Sequence, residues 1–102
     1  MLELRPTCEN CNKALPPDAD EARICSYECT FCADCVEHVL HNVCPNCGGG
    51  FVHRPIRPAH NWKNDNYLGN DPPTAHVRHV PVDAEEHARF IADLKSIPPG
   101  LR

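Results

Sequence analysis

Eight cysteines crowd the first half of this chain, spaced Cys8-x2-Cys11-x13-Cys25-x3-Cys29-x2-Cys32-x2-Cys35-x8-Cys44-x2-Cys47. Three chemistries use thiols in such number: disulfides, redox exchange and zinc. A disulfide framework needs an oxidising compartment. The mixed, charged opening Met1-Leu2-Glu3-Leu4-Arg5-Pro6 does not read as a secretory signal, so a cytoplasmic location is expected. Redox exchange needs one privileged Cys-x-x-Cys, commonly on a strand–helix–strand scaffold, and the flanking residues outline none. Zinc takes four soft ligands in a tetrahedron, and Cys-x2-Cys delivers two of them from one tight turn. Eight thiols complete two such sites with none left over, so two Zn2+ per chain are expected.

The residues around the pairs agree with that chemistry. A chain wrapping one ion favours a residue tolerant of positive φ just after the second cysteine. Cys44-Pro45-Asn46-Cys47 is followed by Gly48, and Cys8-Glu9-Asn10-Cys11 by Asn12, the two residue types that adopt this conformation most readily. Cys32-Ala33-Asp34-Cys35 has no such residue. Val36, Val39 and Leu40 follow it at helical spacing, which predicts a short helix to about His41. Two turn-type pairs and one helix-type pair describe a small metal-stabilised α+β fold of treble-clef type. The spacing leaves two ways of sharing the ions. Sequential pairing puts Cys8, Cys11, Cys25 and Cys29 on one zinc and the last four on the other. Interleaved pairing ties distant segments together and suits a module with almost no apolar core.

The run Cys29-x2-Cys32-x2-Cys35, a short helix and Cys44-Pro45-Asn46-Cys47 resembles the second half of a RING finger. Cys8-x2-Cys11 and Cys25-x3-Cys29 match the positions of its first four ligands, with Cys29 where many RING fingers have His. The resemblance spans residues 8 to 47. It implies the interleaved cross-brace, with Cys8, Cys11, Cys32 and Cys35 on the first zinc and Cys25, Cys29, Cys44 and Cys47 on the second. It also raises ubiquitin-ligase activity as an alternative. Glu9 replaces the apolar residue that such ligases usually carry after the first ligand, and Gly48 the basic residue often found after the last, which argues against it. Pro45 agrees with the family. The segments Met1 to Glu9, Ala22-Arg23-Ile24-Cys25-Ser26-Tyr27-Glu28-Cys29-Thr30-Phe31-Cys32 and Cys44-Pro45-Asn46-Cys47-Gly48-Gly49 are similar to a bacterial family of small cysteine-rich proteins, domain of unknown function 1272. That resemblance covers about residues 1 to 58 and implies a bacterial protein, without supplying an activity.

The elements that must position these thiols are few. The chain has 102 residues, six aromatics and a mean hydropathy of -0.48. That is enough for one small domain whose core needs a metal staple. No apolar run approaches the roughly 20 residues of a membrane helix. The module is expected over 1–58, ending after Gly48-Gly49-Gly50 and Pro55-Ile56-Arg57-Pro58, and residues 1–58 alone are expected to fold with zinc. Residues 59–82 read as an irregular, turn-rich extension, with Trp62, Tyr67 and Leu68 available to dock on the module. A C-terminal helix is expected over 83–97. Asp83 caps it, Ala84, Ala88, Ile91 and Leu94 form its apolar stripe, and Pro98-Pro99-Gly100 stops it.

Charge narrows the function. The formal net charge is -4, and residues 1–50 hold only Arg5, Lys13 and Arg23 as bases. Two Zn2+ on eight thiolates make the loaded chain more negative still, which argues against a nucleic-acid partner. Closed all-thiolate zinc sites leave no position for a catalytic water. His76-x2-His79 lacks a third ligand and reads as surface, and Asp18, Asp20 and Glu21 read as a solvated acidic loop. His38 and His41 flank the short helix and stand as substitute ligands only should a cysteine prove unbound. No phosphate loop or nucleophile–base constellation is apparent. The sequence therefore predicts a non-enzymatic zinc protein acting as a protein-interaction adaptor.

Overall fold

Three very short strands are all the sheet this sequence supports. The computed structural model describes residues 1–102. Strand β1 (Ala22–Ile24) lies between β2 (Thr30–Cys32) and β3 (Val52–His53), antiparallel to both. Arg23 stands opposite Phe31 on one side and His53 on the other. The β1–β2 turn is the Cys25–Cys29 segment. It is closed by Cys25 N–H donating to Cys29 O at 3.2 Å and by Glu28 N–H donating to Cys25 O, with Glu28 at φ 66°. Phe31 in β2 packs edge-on against Phe51 just before β3, ring centroids 5.5 Å apart.

Strand β2 runs straight into helix α1 (Ala33–Cys35), whose turns widen to i→i−5 spacing over Val36–Leu40. His41 and Asn42 adopt left-handed conformations and end it, and Leu40, facing inward, is fully buried. The helix therefore carries Cys32 and Cys35 at its start and turns the chain back toward Cys44.

Only 19 of the 102 residues are buried. Their main cluster holds ten residues, and six of these are cysteines: Cys8, Cys25, Cys29, Cys32, Cys35 and Cys44. The thiols are thus the centre of the fold rather than its decoration. The whole is a small α+β fold of one three-stranded antiparallel sheet and two helices.

From Arg54 onward the chain is largely irregular yet well anchored. Buried Arg54 donates from Nη1 to Arg5 O at 2.9 Å and from Nη2 to Leu15 O and Pro16 O at 3.1 and 2.9 Å. Arg57 bridges Leu2 O and Asp71 O, while Arg102 reaches Ile97 O, Asn42 O and Gly48 O. Guanidinium groups, with five donors in a fixed fork, suit this tying of carbonyls from separate segments. Trp62 does not dock on the module: it is 80 % exposed, its ring edge-on to that of His60. Tyr67 and Leu68 are half-buried.

The second helix, α2 (Ala84–Ile91), starts as expected, with Asp83 accepting the Glu86 N–H at 3.0 Å. It is shorter than the 83–97 span. Beyond Ile91 three-residue bonds from Leu94 to Ile91 and from Ile97 to Leu94 mix with the four-residue bond from Lys95 to Ile91, and the chain continues as turns. The buried line also differs. His87 and Ile91 face inward while Ala84 and Ala88 are exposed. His87 holds its place by an Nε2 contact to Leu40 O at 3.0 Å, a tie between helices that alanine cannot make.

Candidate metal centres

The first cluster brings together Cys8 and Cys11 from the N-terminal turn and Cys32 and Cys35 from the start of α1. Their four sulfurs lie within 4.8 Å of one another. Zn–S bonds of about 2.3 Å in a tetrahedron put sulfurs roughly 3.8 Å apart. Cys11 Sγ and Cys32 Sγ stand at 3.8 Å. Asn12, the residue after the turn, has φ 62°, so the chain curls around the sulfurs and Asn12 N–H closes back on Cys8 O. Asn10, between Cys8 and Cys11, donates its side-chain amide to Cys35 Sγ at 3.3 Å.

In the second cluster Cys25, from the end of β1, meets Cys44 and Cys47, again within 4.8 Å of one another. Cys29, the fourth cysteine expected there, falls outside this group of three; it is buried, interacts with Cys25 and Cys44, and accepts the Asn46 amide at 3.4 Å. Gly48 follows the Cys44–Cys47 turn at φ 78° and donates its N–H to Cys44 O. A glycine meets this conformation without the strain a Cβ would bring. Main-chain N–H groups of Tyr27, Asn46 and Gly49 donate to the sulfurs of Cys25, Cys44 and Cys47 at 3.3, 3.4 and 3.4 Å.

These donors point at where negative charge belongs. Without a counter-charge Cys29, Cys32, Cys35 and Cys44 resist ionising. Burial, aided by the neighbouring Cys32 thiol and the charges of Cys8 and Cys32, pushes Cys35 far above the ordinary thiol range. Burial, with the charges of Cys25 and Cys29, does the same to Cys44. Cys32 and Cys29 are raised for the same first reason, desolvation. Exposed Cys11 shifts the other way. Burial opposes ionisation there too, but the Lys13 backbone N–H and the sulfurs of Cys8, Cys32 and Cys35 hold it below the usual value. Clustered thiols with N–H donors aimed at them form a donor set that a soft divalent cation completes. The residues fit a metal.

The remaining candidates lie apart. His38 and His41 are exposed beside α1. His76 Nδ1 is 3.6 Å from a Glu3 carboxylate, and His79 meets the Asn10 carbonyl, so the two do not form a common site. Asp18 and Asp20 are exposed, and Glu21 pairs with Lys13 at 2.6 Å. The sequence reading missed Glu9. It is 2 % exposed, and its Oε2 accepts Thr30 N–H at 2.6 Å and Arg5 Nη1 at 2.9 Å, while Oε1 is 3.3 Å from Arg78 Nε. Beside it opens a groove of about 360 Å³ between the module and the extension, bordered by Glu9, Pro45, Val80, Val82, Glu86 and Phe90. No helix is long and apolar enough to cross a membrane.

A protein family described as "Protein of unknown function (DUF1272)" matches residues 1–57. An uncharacterized protein of Rhizobium meliloti (strain 1021) is 61% identical over 59 residues, covering 58% of this chain and 70% of the relative. No solved structure matches.

Proposed function

The chain belongs to the family described as Protein of unknown function (DUF1272), and on that premise we propose that it is a non-enzymatic, zinc-stabilised adaptor presenting a protein-binding surface. Cys8, Cys11, Cys32 and Cys35 hold the first Zn2+ and Cys25, Cys29, Cys44 and Cys47 the second, in a RING-like, treble-clef arrangement. The observation that carries this reading is the core itself, in which six of ten clustered residues are cysteines. Four thiolates close a zinc site and supply structural cross-linking rather than an open Lewis-acid position. The metal stabilises the fold and the surface does the work.

That surface is built for protein rather than for nucleic acid. Most basic side chains are already engaged within the chain. Arg5, Lys13 and Arg78 pair with carboxylates, and Arg23, Arg54, Arg57 and Arg102 donate to carbonyls. Lys63, Arg89 and Lys95 are scattered over the extension, too few for a phosphate-tracking face. The groove beside Glu9, with Val80, Val82 and Phe90 along it, offers mixed apolar and polar contact instead.

The test is capture from a native host under reducing conditions, comparing the zinc-loaded chain with the chelator-treated one. A discrete partner protein retained only by the loaded chain supports the adaptor. A salt-sensitive complex with nucleic acid, or ubiquitin discharge from a charged conjugating enzyme that a Cys32→Ser variant abolishes, would overturn it.

A further inference from the structure

Glu9 and Asn10 are the two spacers of the Cys8–Cys11 turn, and a segment some seventy residues further along the chain converges on them. Val80 N–H donates to Glu9 O at 2.8 Å. Arg78 Nε lies 3.3 Å from the buried Glu9 carboxylate. His79 Nε2 meets Asn10 O at 3.0 Å, and Val82 N–H donates to Asn10 Oδ1 at 2.8 Å. The same Asn10 side chain donates its Nδ2 to Cys35 Sγ of the first cluster at 3.3 Å. One amide thus joins a sulfur of that cluster to the backbone of the extension.

We infer that residues 78–82 form a strap whose closure depends on metal in the first centre, with Asn10 as the positioning residue that links the two. The inference rests on the reading of Cys8, Cys11, Cys32 and Cys35 as a metal site. Its physical basis is the orientation of Asn10. A sulfur held as thiolate is a fixed, charged acceptor for Nδ2, and this turns Oδ1 toward Val82 N–H. Ligation of Cys8 and Cys11 also fixes the turn between them, which holds Glu9 O and Asn10 O in line for Val80 and His79. Emptying the centre removes these constraints together.

Consequences run along the chain from Val82. Its side chain packs against the cysteine-rich core, and the next residue, Asp83, caps α2. Release of the strap therefore frees the start of α2 and uncovers the face that carries His87 and Ile91. Metal content of the first centre becomes a condition for presenting or covering that face. The second centre meets the extension differently, through Arg102 on Gly48 O and through Phe90 and Leu94 beside Gly48, so the two centres are distinguishable.

Coupling between strap and metal is reciprocal, and this supplies the test. The full chain is loaded with zinc. Its zinc content, amide exchange and rate of zinc transfer to a chromogenic chelator are then measured for the unsubstituted protein, for Asn10→Ala and for an Arg78→Ala/His79→Ala double variant. The double variant changes no thiol and no residue of the core. Expected in both variants are two bound zincs, faster exchange at Val80 and Val82, and one zinc transferring about fivefold faster or more while the other keeps its rate. Unchanged zinc transfer in the double variant, or equal acceleration of both ions, would overturn the strap. Fewer than two zincs on the unsubstituted chain would overturn the metal reading itself, and the strap with it.

Discussion

Arg54 is the strongest single test of how this chain compensates for its small core. The side chain is 1 % exposed and ties together the carbonyls of Arg5, Leu15 and Pro16. Burial lowers its pKa from the ordinary arginine value, yet the group stays charged at any physiological pH. Arg54→Met keeps most of the aliphatic stem and removes the five donors. Pro16 O retains a second partner in Ala19 N–H at 2.9 Å, so two carbonyls, those of Arg5 and Leu15, are left orphaned. Each unsatisfied buried group costs about 1–3 kcal/mol. Relief from desolvating a guanidinium offsets part of the sum, so a net loss of about 3 kcal/mol is expected. At roughly 4–8 °C per kcal/mol for a domain of this size, the midpoint should fall by roughly 12–24 °C. Arg54→Lys keeps the charge but not the fork, and should lose about half as much. The assay is thermal and urea unfolding of the zinc-loaded chain at fixed free zinc, because metal release is linked to unfolding. An Arg54→Met midpoint within about 4 °C of the parent would mean that these carbonyl bonds do not hold the fold together.

Further predictions concern the metal and the extension. Zinc loading of the reduced, metal-free chain should expel protons. Burial raises the thiols of Cys35 and Cys44, so these are protonated at neutral pH when no cation is bound; apparent affinity must therefore fall as pH falls, which competition titrations at several pH values would read directly. Gly48→Ala should cost about 1–2 kcal/mol from backbone strain alone, since an added Cβ would sit 3.8 Å from Phe90. Gly50→Ala instead places the Cβ 2.7 Å from Pro99 Cγ and should displace the C-terminal turn, seen as altered amide shifts around Pro99–Leu101 with both zincs retained. Ile91→Ala removes a side chain that is 1 % exposed and should cost roughly 2–5 kcal/mol in urea unfolding, with zinc stoichiometry unchanged.

What the sequence made legible was local. Cys-x2-Cys followed by Asn12 or Gly48 carries its conformation in adjacent residues, and both adopt positive φ, at 62° and 78°. Helical spacing after Cys32 and the Asp83 cap are likewise short-range signals, and both produce the helix starts seen in the structure. The hidden part depends on partners far apart in the chain. Nothing near Arg54 announces that carbonyls 38 to 49 residues away will surround it. Glu9 reads only as an acid where an apolar residue is usual, until Thr30, Arg5 and Arg78 are brought to it. The buried face of α2 is hidden for a related reason. Apolarity favours Ala88, but the Leu40 carbonyl, reachable only after α1 folds, selects His87. The extension reads as irregular because Arg57, Arg78 and Arg102 anchor it to groups far away in the chain, which no local pattern reveals.

On the function proposed above, eight cysteines hold two zinc ions in place of a conventional core. Native mass spectrometry of the full chain, purified in reducing buffer, tests it most directly. Expected are a folded, low-charge-state ion carrying two zincs and a shift to an unfolded charge distribution once a chelator removes them. A metal-free chain that stays folded, or a mass lowered by the hydrogens lost to disulfides, would contradict it.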